Sequence, residues 1–375
     1  MKLSLVNVFS KLGPIMKVLT LITFLLSLNL YSIEWVANEV YKGKPSTTAI
    51  AIDFDKDGKC EIVYYSAQKL YLVSNDGKQR RTIAEKVKFI HSAAGDMDGD
   101  GDIDYVGGLI GVGWLECPKD IWKDEWKLHW VSQELNGTHA VETIDMDNDG
   151  KMDVVANSFN PLGKYPHSIC WFKNLGDGKW ETYPIANKDA IGGSHYFKIF
   201  DLDGKKAMCA GAKGGKFPNG NYYALYKAED SIYKPWKKSL LLSNQEGATN
   251  IFPADYDKDG KIDYAVANGH GIGVKLISGK DKSVSVIDPK MECPHCLDAG
   301  DLDGDGDIDL VTCGYQSKEV AWYENIGSGK FKKHSIKTDQ AAYDIRLIDI
   351  DGDGLKDILV AGQRSNNVIW FKQKK

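Results

Sequence analysis

Apolar residues in this chain come in short runs that repeat a fixed order, and no segment carries a helical period. A short, often alternating run such as Thr48-Ala-Ile-Ala-Ile-Asp53 leads into an acidic loop, and an apolar run such as Ile308-Asp-Leu-Val-Thr312 follows it. An aromatic segment comes next, as in Cys170-Trp-Phe-Lys-Asn174, Ala321-Trp-Tyr-Glu-Asn325 and Ile369-Trp-Phe-Lys372. A Gly-rich turn (Leu175-Gly-Asp-Gly-Lys179, Ile326-Gly-Ser-Gly-Lys330) then opens a last strand such as Trp180-Glu-Thr-Tyr-Pro-Ile185. Each unit therefore predicts four strands, A to D, with the acidic loop joining A to B.

The loop is the clearest marker of the repeat. Asp-x-Asp-x-Asp-Gly-x-x-Asp/Glu starts at Asp53, Asp96, Asp145, Asp255, Asp301 and Asp349, and a worn copy, Asp201-Leu-Asp203-Gly-Lys-Lys, stands between the third and fourth of these. Start-to-start spacings of 43 to 56 residues suit four strands and their turns. Seven such sheets predict an all-β, seven-bladed β-propeller over residues 33–375, in which radial repetition leaves few exposed edges. The chain ends after strand C of its seventh repeat. Ile33-Glu-Trp-Val-Ala-Asn38 reads as a D strand, so the mature N-terminus is expected to close that blade.

Carboxylates at loop positions 1, 3, 5 and 9, with Gly at 6 for a sharp turn, supply hard oxygen ligands around one cation, which is Ca²⁺ chemistry. The ligands expected are Asp53, Asp55, Asp57 and Glu61; Asp96, Asp98, Asp100 and Asp104; Asp145, Asp147, Asp149 and Asp153. In the second half of the chain they are Asp255, Asp257, Asp259 and Asp263; Asp301, Asp303, Asp305 and Asp309; Asp349, Asp351, Asp353 and Asp357. Four carboxylates within nine residues repel one another until a cation arrives, so about six structural Ca²⁺ ions are expected to contribute to folding. The worn fourth loop is expected to hold none.

These repeats resemble the FG-GAP or VCBS repeats of integrin α-subunit-like propellers; Trp322-Tyr-Glu-Asn-Ile-Gly-Ser-Gly-Lys-Phe331 is similar to that family's C-to-D hairpin. The resemblance implies a seven-bladed propeller. It leaves function open, because the family includes adhesion modules, surface proteins, carbohydrate-binding modules and sugar-modifying lyases.

With the acidic loops on the bottom, six of the eight histidines fall on the top face. His139, His195 and His295 each sit six residues before a loop start, His91 sits five before, and His167 and His270 lie in B–C loops. His129 and His334 fall on outer strands. Three roles suit the top-face set: capping strands, binding a transition metal such as Zn²⁺ through neutral imidazoles, or acting as a general base. The longest B–C insertions, Ser158 to His167 and Ala212 to Asn221, add Lys164, Tyr165, Lys213 and Lys216, and Tyr315, Gln316 and Arg364 occupy the corresponding loops of blades 6 and 7. Together they predict a cationic, aromatic rim suited to a sugar bearing carboxylate or sulfate. Glu142 and Asp298, each three residues before a loop, are the paired carboxylates a glycosidase would need, and read as ordinary strand residues.

Composition and charge narrow the partners. Val18 to Leu30 is an apolar run behind Lys17 and ahead of Ser32, so residues 1–32 read as a signal peptide, the product as secreted, periplasmic or cell-surface, with no integral span after cleavage. Met16 is an alternative start. The formal charge of −5 excludes a strongly basic nucleic-acid binder. Cleavage would remove Lys2, Lys11 and Lys17, leaving 44 basic against 52 acidic residues; 24 of those acids sit in the six loops, so 44 bases face 28 acids elsewhere. A calcium-loaded protein would thus present a cationic surface. Of seven cysteines, Cys60, Cys170, Cys209 and Cys313 fall in apolar runs, and Cys293-Pro-His-Cys296 has thiol-redox spacing without the βαβ unit that motif needs.

Two functions follow. One is a calcium-stabilised module binding an anionic glycan or an extracellular protein on the His-rich top face. The other, implied by resemblance to the sugar-modifying members of the family, is a polysaccharide lyase or dehydratase in which the histidines, with or without a metal, and Tyr165, Tyr315 or Tyr343 perform β-elimination. No nucleophile, phosphate-loop or dinucleotide motif is present. Oligomeric state is not encoded in these patterns.

Overall fold

The computed structural model describes residues 33–160 and 162–374; the signal-peptide expectation for residues 1–32 lies outside them. Twenty-seven strands and no helix are found among the described residues. After β1 (Glu34–Lys42), blade 1 is β2 (Ser46–Ile52), β3 (Glu61–Ser66), β4 (Lys69–Val73) and β5 (Arg80–Glu85). Blade 2 is β6 (His91–Gly95), β7 (Asp104–Glu116) and β8 (Lys127–Asn136); blade 3 is β9 (Val141–Ile144), β10 (Asp153–Asn157), β11 (Ile169–Gly176) and β12 (Lys179–Ala186). Blade 4 is β13 (Ser194–Leu202), β14 (Lys205–Ala212), β15 (Tyr222–Lys227) and β16 (Lys237–Leu242); blade 5 is β17 (Asn250–Ala254), β18 (Asp263–Ala267), β19 (Ile272–Ile277) and β20 (Val284–Glu292). Blade 6 is β21 (Pro294–Gly300), β22 (Asp309–Gly314), β23 (Glu319–Asn325) and β24 (Phe331–Thr338), and β25 (Asp344–Ile348), β26 (Asp357–Gly362) and β27 (Asn367–Lys374) complete the series.

Each sheet is an antiparallel meander, and the seventh has the order β1-β27-β26-β25, with β1 as its outer strand. Tyr41 on β1 stacks on Tyr64 of blade 1 at 4.8 Å, and Gly43 N–H donates to the Asn366 carbonyl, so first and last elements share one edge. Blade 2 departs from the four-strand pattern. Strands B and C merge into the single 13-residue β7, whose first half pairs with β6 and second half with β8. The reversal is tight: Gly111 takes φ +81°, and a Cβ on Gly108 would lie 3.0 Å from the Gly111 carbonyl.

First strands follow one another in a circle in which β25 returns to β2, with β9 and β13 joined through the Glu142 side chain, and they line the central channel. Burial follows radial position. The second strands β10, β18, β22 and β26 are buried at every residue because neighbouring sheets cover both faces, which is why their sequences are continuous apolar runs. Outer strands such as β24 keep mostly polar, partly exposed residues. The core is accordingly divided into wedges between blades, as where Val155, Trp171 and Ile185 of blade 3 meet Met208, Ala224 and Tyr226 of blade 4. At the rim, an amide shortly after the aromatic pair ties blades 3, 6 and 7 to the acidic loop before them: Asn174 donates to Met97 O at 2.8 Å, Asn325 to Tyr256 O at 2.9 Å and Gln373 to Leu302 O at 2.8 Å.

Candidate functional site

The six intact acidic loops share one backbone. Their sixth residues, Gly58, Gly101, Gly150, Gly260, Gly306 and Gly354, all lie between φ +84° and +91°, where a side chain is strained, and each N–H donates to the first Asp of its loop at 2.8–3.0 Å. The ninth carboxylate is buried and has a second job. In blade 2, Asp104 accepts from Met97 N and from Cys117 N, both at 2.8 Å, which joins the loop to the start of the next turn; Asp153, Asp263, Asp309 and Asp357 repeat the arrangement. Burial pushes Glu61, Asp104 and Asp309 up to about 7 and Asp153 and Asp357 to about 6, despite these hydrogen bonds. Oxygens of Asp53, Asp55 and Asp57, of Asp96, Asp98 and Asp104, of Asp145, Asp147 and Asp153, and of Asp255, Asp257 and Asp259 lie within 4.8 Å of one another. Crowded carboxylates held partly out of water fit a divalent cation, whose charge would offset their desolvation.

Blade 4 has no such loop. β13 and β14 are joined by Asp203 (φ 51°) and Gly204 (φ 73°), the two left-handed residues of a type I′ hairpin turn. Lysines supply the countercharge: Lys206 pairs with Asp201 at 3.2 Å and Lys227 with Asp203 at 2.9 Å. Lysine also enters two intact loops, where Lys173 pairs with Asp147 and Asp149, and Lys372 with Asp351 and Asp353.

At the other end of the channel, five of the six top-face histidines come together. His195 Nε2 lies 3.3 Å from His295 Nε2 and 3.3 Å from His270 Nε2, while the His139 and His195 rings are 3.7 Å apart. His91 packs against His139 with ring centres 4.9 Å apart. Their blades deliver them in register, since positions six before the loop converge on the channel axis. Tyr343 occupies that place in blade 7, stacking on His295 at 3.6 Å with its hydroxyl 3.3 Å from His139 Nε2. His295 Nδ1 is 2.9 Å from the Tyr343 carbonyl, which only accepts, so Nδ1 carries the hydrogen and Nε2 presents a lone pair. Burial first, and then neighbouring cationic groups, hold His91, His139, His195 and His295 well below the ordinary imidazole range, so all four are neutral at physiological pH.

Sequence reasoning passed over three contributors. The hydroxyl of Tyr196, five before the worn loop, lies 2.8 Å from His91 Nε2, within hydrogen-bond distance. Asn157, fully buried, accepts from His139 N and Ala140 N at 2.8 Å and donates to Ser194 O and His195 O at 2.9 Å, clamping the strands that carry two of the histidines. Phe159 lies 5.3 Å from the His139 ring and 5.7 Å from His195, with Phe217 packed on it at 4.7 Å. The periodic −6 and −5 positions could have revealed Tyr196; nothing in the sequence marks which loop aromatics fold inward.

The predicted rim separates into parts. Lys213 stands over Phe159 and Phe217 at 5.2 and 5.6 Å, is half-buried, has no carboxylate partner among the described residues, and is lowered by burial and then by Lys216. Lys216 lies over Phe217 at 5.3 Å. Lys164 is instead paired with Glu134 at 2.8 Å and packs on Tyr165, and neither the Tyr165 nor the His167 ring stacks on the histidine cluster. Arg364 covers Tyr315 at 4.3 Å, and Tyr315 reaches the cluster through Tyr343 at 6.2 Å. His129 and His334 sit on outer strands, each stacked at 4.4 Å on a Trp and paired with a Glu.

Below the histidines, the channel widens into a cavity of about 450 Å³. Glu142 and Asp298 face it rather than serving as plain strand residues, together with Lys198 and Arg346 from the same −3 position. Lys198 pairs with Glu142 at 2.7 Å, yet two fifths of its side chain is open to the channel; Arg346 donates to Ser92 O at 3.0 Å and faces Asp344. With Glu142 neutralised by a lysine, Glu142 and Asp298 are not the free pair of carboxylates a glycosidase needs. The Cys293 and Cys296 thiols are unbridged, and burial raises both, which removes thiolate reactivity.

Residues 301–373 match the FG-GAP-like repeat, from the acidic loop of blade 6 to the last strand. No curated protein matches the chain in sequence. Among solved structures, BBS1N in complex with ARL6DN, soaked with lead, superposes with a TM-score of 0.63 at 10% identity over 91% of this chain and 97% of that one; its mercury-soaked counterpart gives 0.61 at 9% over the same shares. An auxiliary nutrient binding protein from Bacteroides thetaiotaomicron gives 0.52 at 10%, covering 92% of this chain and 78% of that one. At such identities the likeness is one of fold. The chain is a seven-bladed β-propeller whose residues 301–373 carry FG-GAP-like repeat sequence.

Proposed function

We propose that this chain is an exported, calcium-stabilised propeller that binds an anionic ligand, a glycan bearing carboxylate or sulfate, at the channel mouth of its top face. Lys213 carries the reading. A half-buried ammonium without a carboxylate partner is costly, and an anion seated above Phe159 and Phe217 would supply the missing charge. The auxiliary nutrient binding protein of the same fold makes a binding role a natural use of this scaffold. Binding is favoured over elimination because His91, His139, His195 and His295 are only 1–6% exposed, so a polymer cannot bring a sugar ring to them. A protein partner is the competing ligand class.

Calorimetric titration of the mature protein with uronate- and sulfate-bearing oligosaccharides tests this, with ultraviolet absorbance followed for unsaturated products. Binding without product is expected, weakened by about tenfold in Lys213→Met, the scale of one charge-assisted contact. Product formation, or affinity unchanged in Lys213→Met, would overturn it.

A further inference from the structure

The spacing of three ring nitrogens at the channel mouth matches that of ligands around one ion. Tetrahedral Zn²⁺ with Zn–N bonds of about 2.0–2.1 Å sets its ligand nitrogens roughly 3.3–3.4 Å apart. His195 Nε2 is 3.3 Å from His270 Nε2 and 3.3 Å from His295 Nε2, two edges of such a tetrahedron. His139 is the fourth member: a ring nitrogen of it lies within 4.8 Å of those of His195 and His295.

Hydrogen bonding alone leaves this arrangement unsatisfied. Tyr343 O fixes the hydrogen of His295 on Nδ1, so its Nε2 is a bare acceptor. His195 Nε2 faces two nitrogens and has at most one hydrogen to offer, while the Nδ1 atoms of His139 and His195 are buried without any partner. An ion at the centre accepts the facing lone pairs at once. Neutral imidazoles at this spacing, with no thiolate or carboxylate among them, suit Zn²⁺ rather than Ca²⁺.

We infer that His139, His195, His270 and His295 form a Zn²⁺ site that staples blades 3, 4, 5 and 6 across the channel mouth. The groups that orient it are in place: the Tyr343 carbonyl holds His295, and Asn157 clamps the backbone at His139 and His195. His270, on an exposed loop position, gives the ion a way in, while Phe159 packs beside the His139 and His195 rings. The staple also spans the one blade whose A–B turn lacks a metal loop. This inference shares the channel mouth with the anion-binding reading, and the two can fail separately.

The test is metal analysis of the mature protein, stripped with chelator, reloaded with Ca²⁺ and titrated with Zn²⁺ or Co²⁺. One equivalent beyond calcium is expected, with the intense visible bands of tetrahedral Co²⁺. His270→Ala, a loop change that leaves the strands intact, should shift the Co²⁺ spectrum, as water replaces one imidazole, and bind at least tenfold more weakly. His195→Ala should abolish binding, while His334→Ala, on the outer strand of blade 6, should retain it. Absence of the extra equivalent, an octahedral Co²⁺ spectrum, or unchanged binding in His270→Ala would overturn the inference. Anion binding that persists without zinc would leave the functional proposal standing, and zinc without anion binding would do the reverse.

Discussion

Blade 4 and its six neighbours solve the same problem in different ways. Every blade must turn from strand A to strand B at the bottom rim. Six do so through nine-residue loops that gather four carboxylates; blade 4 uses two left-handed residues, Asp203 and Gly204, with Lys206 and Lys227 beside its acids. The strands on either side are otherwise alike, and β14 is buried as the other second strands are, apart from its first two residues. A propeller blade therefore does not need the loop. What the long loop adds is a ledge, the carbonyl after its first Asp, onto which the next blade's Asn174, Asn325 or Gln373 latches, and, on the calcium reading we propose, a place for a cation. The lysine-closed turn needs no ion, and so blade 4 is an internal control for the other six.

The largest effect should come from removing calcium. Each loop contributes about 2.7 kcal/mol when the ion stands at 100 times its Kd, so chelation is expected to lower the melting temperature more than any single substitution, and calcium to restore it. An unchanged melting curve would break the comparison.

Acid should separate the two ends of the channel. Burial depresses the channel histidines, so each adds stability that is complete above the unfolded value near 6.5 and is lost as pH falls below it, by up to about 1.4 kcal/mol per pH unit for each histidine. In calcium-saturated protein, where loop carboxylates are held ionised, melting temperature should fall from pH 6.5 to 5. The chelated protein should fall less or rise, because Glu61, Asp104 and Asp309, raised to about 7, favour the folded state increasingly as pH drops through that value. Parallel curves with and without calcium would contradict this.

Single substitutions sharpen the contrast further. Asp303→Asn should remove one calcium equivalent and cost up to about 2.7 kcal/mol in calcium, whereas Asp203→Asn should change neither the ion count nor stability by more than about 0.5 kcal/mol, since Asn accepts the left-handed turn. Smallest is the effect of Lys173→Met. Its ammonium already lies on Asp147 and Asp149, so its loss should tighten calcium at blade 3 while lowering calcium-free stability by less than about 1 kcal/mol. Site-resolved calcium titration would show both.

Much of the fold was legible because its marker is local. A nine-residue acidic loop repeated at near-constant spacing announces each blade without reference to tertiary contacts, and Gly at position 6 follows from a φ near +85°. The merged β7 was not legible, because a Gly-rich reversal at 107–111 and an ordinary B–C connection differ only in how tightly the chain folds back. At the site, the −6 register located His139, His195 and His295, since the period fixes which residues meet at the axis. The inward fold of Phe159 and Phe217, the pairing of Lys164 with Glu134 and the Lys198–Glu142 contact depend on side-chain reach across blades, which no spacing encodes.

Amide hydrogen exchange, read by mass spectrometry on the mature protein with calcium and with chelator, tests the central claim most directly. The account predicts that chelation exposes the amides of the six loops, including Gly58, Gly101, Gly150, Gly260, Gly306 and Gly354, and the latching sides of blades 3, 6 and 7, while the 201–206 turn of blade 4 exchanges at the same rate in both conditions. Equal protection of all seven turns with and without calcium would contradict it.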